Sequence, residues 1–460
     1  MLIRNLSVSA LLFSVTMLSF TVNALNPVAS EAAISNSKFT PSQLNQDLQS
    51  LKDFIEATHP DISHSASPEQ LDQTYTEISA NLSKPMTAIE FWLQAAKLNP
   101  QFNDAHWSVN LPETHSNIQQ LIEKTAGVFP LEVHVQPDGG LIVLALAGGA
   151  ETPWRGATIE TINGEIAPLL SRQLLALRHG DTPLNRANLL GPAFQLYYAS
   201  MFGTPSEFTL QLKQNDKITL VKLPASKQVA VIGKTSEKFT DNFNYRALKP
   251  NTAYLKLGSF SWPNEQEIGD FTRQTFRQIQ QSGATTLIID VRENRGGNDS
   301  VWIDHVLPYI ADTPFRVGSW SKKKVIASRV SDAEPTGTVI DSEFKTWYRP
   351  QLSNPLRFTG KVVVLTGRRT YSSAVQFSNV MQDFGFATLA GESGYVRARS
   401  TGGIQFFTLP NTKLNIIVPR FWAARPNVGF NEQLQTPDWL LQDDVTAPDA
   451  LIQAVVQKLN

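Results

Sequence analysis

At about 150 residues per domain, a chain of 460 residues is expected to hold about three domains. Its 42% hydrophobic and 18% charged residues are those of a globular protein, which excludes a disordered, collagen-like or disulfide-stapled chain. Forty basic against 41 acidic side chains leave a net charge of −1, without the basic footprint of a nucleic-acid binder. Cysteine is absent, so no disulfide, Cys-ligated metal, cysteine nucleophile or lipoprotein anchor is possible.

The chain opens with Arg4 ahead of an apolar run from Leu6 to Val22 that is interrupted by Ser and Thr. Val22-Asn23-Ala24 follows, with small residues where a signal peptidase reads. A signal peptide over 1–24, cleaved after Ala24, is expected; the competing reading is a short uncleaved anchor, since the run is near the lower length limit for a membrane span. No other segment is apolar enough to span a membrane, so none is expected after cleavage. An exported chain without cysteine suits the periplasm, or secretion.

Residues 25–120 read as a helical cap. Leu44, Leu48, Leu51 and Ile55 recur on one helical face, and Pro60, Pro85 and Pro100 divide the region into short helices. Over 121–230 the period shifts to two: Leu131, Val133 and Val135 alternate with other residues, as do Ile142, Leu144 and Leu146. Asn163-Gly164 marks a tight turn, a helical insert spans about Leu184–Met201, and FTLQLKQNDKITLVKL is a strand pair. This arrangement resembles a peptide-binding PDZ domain, with Gly139-Gly140-Leu141-Ile142 as a degenerate carboxylate loop. The alternative is a β-rich spacer without a ligand.

Over 245–460 apolar strands alternate with helices. TAYLKLGSF, TLIIDV, KVVVLTG and ATLAG are the strands; Ile268, Phe271, Phe276 and Ile279 mark one helix, and about Val301–Ile310 and Ser373–Asp383 two more. This is the pattern of βαβ units and a sheet covered on both faces. A closing helix is expected at about Pro448–Leu459.

Two turns in this core carry candidate chemistry. In LIIDVRENRGGN a buried strand ends in Asp290, Arg292 and Asn294, then Gly296-Gly297, then a helix. Strand carboxyl ends are where sites form in open α/β sheets, and glycines let backbone N–H groups face a ligand; the plain alternative is a turn fixed by an Asp–Arg pair. In KVVVLTGRRTYSSAVQF a strand leads to Ser372-Ser373 at a helix start. Such a serine can expose its hydroxyl to a helix N-terminus, or simply cap the helix. Together the two turns supply an attacking oxygen and the N–H donors of an oxyanion hole.

These motifs resemble the tail-specific, or C-terminal processing, serine proteases and the related core of tricorn protease. The resemblance rests on Asp290, Arg292, Asn294, Gly296 and Gly297; on Ser372, Ser373 and Ala374; on Gly391-Glu392; on Leu409-Pro410-Asn411; on Pro437-Asp438; and on Asp104-Ala105-His106 in the cap. It implies a Clp-protease/crotonase-like α/β core with an N-terminal helical cap and a PDZ-like β-rich domain. It also implies an acyl-enzyme at Ser372, an oxyanion hole from the Ser373 N–H and that of Gly296 or Gly297, and no metal or cofactor. The substrate it implies is an unfolded tail or short peptide.

The base is less direct. Where one branch of the family carries a lysine, STGGIQF presents Gly402, and the nearby Arg397 and Arg399 cannot lose a proton. The tricorn-like branch uses a cap histidine, which His106 matches; His305, on the helix after the glycine pair, is its rival. Glu432 sits roughly where that branch places an orienting glutamate. Asp104 is poorly placed for that task if its segment is extended, and Ala105 stands where a helper serine can occur. Two other classes remain open on the sequence alone: a binding protein for a peptide or apolar ligand on the same fold, and a crotonase-type acyl-transfer enzyme.

Overall fold

The computed structural model describes residues 37–249, 251–331, 334–427 and 433–459. The expected signal peptide and Glu432 lie outside the described residues.

The first helices begin where side chains replace missing backbone partners. Thr40 and Gln43 form a reciprocal capping box at Pro41–Thr58, and Thr87 and Glu90 form one at Ala88–Ala95, each satisfying donors that a helix start leaves open. Leu44, Leu48, Leu51 and Ile55 are buried on one face, as their spacing predicts. After the helices the chain adds a short strand, Ser108–Val109, to the hairpin Gln405–Thr408/Asn415–Val418.

An antiparallel sheet follows, in the order Leu131–Val135, Leu141–Leu146, Thr158–Ile162, Glu207–Gln214, Lys217–Pro224. Asn163 and Gly164 both adopt positive φ, 52° and 87°, the backbone a tight hairpin turn requires. Helices Ala167–Leu175 and Pro183–Phe202 accompany this sheet. Its inward side chains share one hydrophobic core with the N-terminal helices and with Leu409, Leu414, Ile416 and Val418.

The second core surrounds a six-stranded sheet in the order Trp439–Leu440, Thr388–Gly391, Lys361–Thr366, Thr286–Asp290, Thr252–Leu257, Phe243–Lys249. All neighbours run parallel except the last pair. Successive side chains of a strand face opposite sides: Leu287 and Ile289 join the cluster that contains Phe276, Trp302 and Phe377, while Ile288 meets Leu451, Ile452 and Val455 of the C-terminal helix. Both faces are therefore covered, which explains why these strands lack polar alternation.

Two expectations need adjusting. The helix expected at 301–310 is Asp299–His305 followed by the 3-10 turn Leu307–Tyr309; Pro308 has no N–H to continue an α-helix. The strands Trp320–Lys324 and Val339–Glu343, which no periodicity marks, join Phe421–Ala423 and Ser400–Gly402 in a separate sheet. Both are half-exposed, the first lysine-rich and the second carrying Asp341, Ser342 and Glu343, so neither has a buried run to betray it.

Candidate active site

Three parallel strands, Thr252–Leu257, Thr286–Asp290 and Lys361–Thr366, end side by side, and Asn294 ties their turns together. Fully buried, it donates from Nδ2 to the Leu257 carbonyl (2.9 Å) and accepts from the Gly296 N–H (2.8 Å), while its own carbonyl accepts from the Tyr371 N–H (3.0 Å). Thr370 adds a hydroxyl bond to the Val291 carbonyl at 2.8 Å. The turn that carries Ser372 is thereby held against the turn that carries Gly296 and Gly297.

Ser372 precedes the Ser373–Asp383 helix with φ 53° and ψ −124°. A non-glycine residue is rarely found there and is held there only by its surroundings. Its hydroxyl makes no capping hydrogen bond, so the helix-cap reading fails. Gly296 explains why glycine is required opposite: at φ +96°, a Cβ would lie 2.8 Å from Ser372 Cβ, Ser373 N and the Tyr371 carbonyl. At Gly297 a Cβ would lie 2.1 Å from the Phe260 backbone.

The geometry also separates the two glycines. The N–H of Gly296 is spent on Asn294, whereas among the described residues neither the exposed Gly297 N–H nor the Ser373 N–H has an acceptor. These two free donors come from the starts of two helices. A side-chain brace joins those helices: Ser373 Oγ donates to Asp299 and accepts from Trp302 Nε1 at 2.9 Å. Burial pushes the Asp299 carboxyl up, against the pull of its Ser373 and Trp302 donors.

Asp290 and Arg292 face elsewhere. Arg292 binds Asp290 (2.8 Å), Asp443 (2.9 Å) and the Pro448 carbonyl (2.9 Å), and Tyr254 donates to Asp290 at 2.8 Å. They are a brace between the central strand and the C-terminal segment.

His106 arrives from the cap, two residues before the strand that pairs Ser108 with Ile417. Its ring lies 4.8 Å from the ring of Tyr371, the neighbour of Ser372. Asp181 locks these turns together: its carboxylate accepts from the Tyr371 hydroxyl (2.8 Å), the Ala105 N–H (2.8 Å) and the Arg397 N–H (3.0 Å). No hydrogen bond joins Ser372 to His106 among the described residues. Such contacts often close only when substrate binds. Burial lowers the His106 pKa to about 4, against the opposing pull of Asp181, so the ring is neutral at pH 7 and can accept a proton.

Asp104 requires a correction. Its segment is a turn, not an extended strand, and Asp104 Oδ1 accepts from the His106 N–H (2.8 Å) and from Thr401 Oγ1 (2.8 Å). His305 is displaced from the site. Its ring fills the space above Gly269, where a Cβ would lie 2.8 Å from Nδ1. Sequence reasoning missed Asp181, Tyr371 and Thr401; none belongs to a local pattern, although Tyr371 and Thr401 lie inside motifs already singled out.

Residues 251–434 match the model of peptidase family S41. The chain carries an S41 peptidase domain. That domain contains both glycine and serine turns, and it makes the chain a serine peptidase, while His106 and Asp181 come from outside it. Among curated proteins no match is found. Among solved structures, mature CPAF is similar at 13% identity over 91% of this chain and 96% of that one, with a TM-score of 0.61. Mature CPAF complexed with lactacystin gives 14% identity over 91% and 97%, with a TM-score of 0.60. At such identities the likeness is one of fold, and it extends over most of both chains. No helix among the described residues is long and apolar enough to cross a membrane.

Proposed function

We propose that this S41 chain is an exported endopeptidase that cleaves unfolded tails or short peptides through an acyl-enzyme at Ser372, with His106 as general base. The carrying observation is the Ser372 turn: a strained backbone, an uncapped hydroxyl and two N–H groups beside it that have no acceptor among the described residues. Lone donors at helix starts favour negative charge, and burial keeps the neighbouring imidazole neutral.

In the proposed reaction His106 takes the hydroxyl proton as Ser372 Oγ attacks the scissile carbonyl carbon. The resulting oxyanion is held by the N–H groups of Gly297 and Ser373. His106 then returns the proton to the leaving amine as the C–N bond breaks. Water then attacks the acyl carbon as His106 takes its proton, and His106 passes that proton to Ser372 Oγ as the ester C–O bond breaks and the acid product leaves. Glu432, the orienting residue implied by the family resemblance, lies outside the described residues and enters no step here. The signal segment over 1–24 supports export to the periplasm or beyond. The PDZ-like reading of 121–230 would supply a peptide-tail contact.

The test is reaction with a fluorophosphonate followed by mass spectrometry of the labelled peptide. The label is expected on Ser372, absent in Ser372→Ala, and slower on the order of 10³-fold or more in His106→Ala, as for other serine–histidine sites. A folded wild-type protein that takes no label would overturn the assignment.

A further inference from the structure

We infer that Thr401 and Asp104 form the unit that orients His106, placing its proton on Nδ1 and leaving Nε2 bare. The inference rests on His106 being the base, and it gives Thr401 and Asp104 a positioning role through a contact that links residues 297 positions apart.

Thr401 Oγ1 lies 2.8 Å from Asp104 Oδ1 and 3.0 Å from His106 Nδ1. A hydroxyl has one proton to give. Every contact around Asp104 is a donor: the His106 N–H at 2.8 Å and Thr401 on Oδ1, and Ser65 Oγ on Oδ2 at 3.5 Å. The carboxylate therefore takes the threonine proton. Thr401 turns a lone pair toward His106, and the only complementary partner is an Nδ1 that carries hydrogen. The second ring nitrogen has no hydrogen-bond partner among the described residues and is left as the proton acceptor.

The charged surroundings act in both directions. Arg397, whose guanidinium is held by the carbonyls of Asn103 (3.0 Å) and His64 (2.6 Å), favours the Asp104 anion against burial, which raises Asp104; burial, and next the Asp104 charge, raise Asp181. Thr401 and Asp104 are both almost fully buried, so water does not compete for the relay. A base needs such a partner because the wrong tautomer presents N–H, not a lone pair, to the nucleophile.

The chain's seven histidines are few enough to resolve by long-range proton–nitrogen correlation of 15N-histidine-labelled protein at pH 7, with His106 assigned by its loss in His106→Ala. Wild type is expected to show His106 protonated on Nδ1. Thr401→Val, which keeps the shape and removes the hydroxyl, should move the proton to Nε2 in part or wholly. It should also cut kcat by on the order of 10²–10⁴-fold with KM little changed, and Thr401→Ser should restore both. Should Thr401→Val not fold, Thr401→Ala removes the same hydroxyl. An unchanged tautomer and kcat in the hydroxyl-free variant would overturn the inference and leave the Ser372 assignment standing. A Ser372 that never labels, beside a tautomer that still depends on Thr401, would sink the peptidase mechanism and uphold the relay.

Discussion

Ser372 and Ser373 are adjacent and chemically alike, yet their surroundings give them opposite tasks. Ser373 spends its hydroxyl on Asp299 and Trp302, and among the described residues the Ser372 hydroxyl has no partner. Gly296 and Gly297 divide in the same way: the first N–H is bonded to Asn294, and the second has no acceptor among the described residues. The sequence pairs each set, but the choice within a pair depends on Asn294, two residues before Gly296, and on Asp299, which reaches Ser373 from 74 positions away. His106 carries the pH prediction. In the proposed mechanism its neutral form is the base, and burial lowers its pKa from 6.5 to about 4, so kcat/KM on a peptide substrate should hold its plateau through pH 6. It should fall only as the pH drops toward about 4. Asp104 and Asp181, both raised by burial, titrate from the other direction and should steepen that limb. An acid limb centred at 6.5 would mean a solvated imidazole and contradict this placement.

Among the elements, the strand–turn–helix units of the core follow from local pattern alone. Buried apolar runs, a glycine pair and a serine at a helix start are each readable within a dozen residues. The docking of the cap is different. Asp47, fully buried in the Pro41–Thr58 helix, accepts from Asn411 N and Nδ2 (both 2.9 Å) and from Thr412 N (2.7 Å) and Oγ1 (2.5 Å). Nothing in the helical pattern distinguishes it from a solvated acid. Asn411 closes the Leu409-Pro410-Asn411 motif, whose role is thus to receive the cap. Replacing Asp47 with Ala strands four donors, and buried bonds to a charged group are worth roughly 1.5–3 kcal/mol each before relaxation. Asp47→Ala should therefore cost about 3 kcal/mol in urea unfolding. A loss below about 0.5 kcal/mol, the ordinary size of a surface change, would show that the cap is held by its apolar contacts alone.

For the whole molecule, the cap is fastened to the S41 core at several separated points. Besides Asp47, Lys322 pairs with Asp61 at 3.0 Å, Phe54 stacks on Phe407 at 4.7 Å, and His64 stacks on Trp422 at 4.9 Å. His106, the base in the proposed mechanism, comes from the cap, whereas Ser372 lies within residues 251–434 that match family S41. Export belongs to this scale too. Intact mass of the protein recovered from the periplasm or medium should begin at Leu25; a chain retaining Met1 there would refute the signal-peptide reading.

Composition, periodicity and turn residues determined the α/β core, the helical N-terminal region, the strand-rich middle and the position of Ser372 on a strand-to-helix turn. Each of these depends on interactions between near neighbours in the chain. Only the tertiary structure decided which glycine keeps a free N–H, that Asp104 reaches His106 through Thr401, and that Asp181 binds Tyr371. The last two contacts join residues 297 and 190 positions apart. A hydrogen bond has no periodicity to leave in a sequence, and a single Thr or Asp carries the same local signal in a site as on a surface.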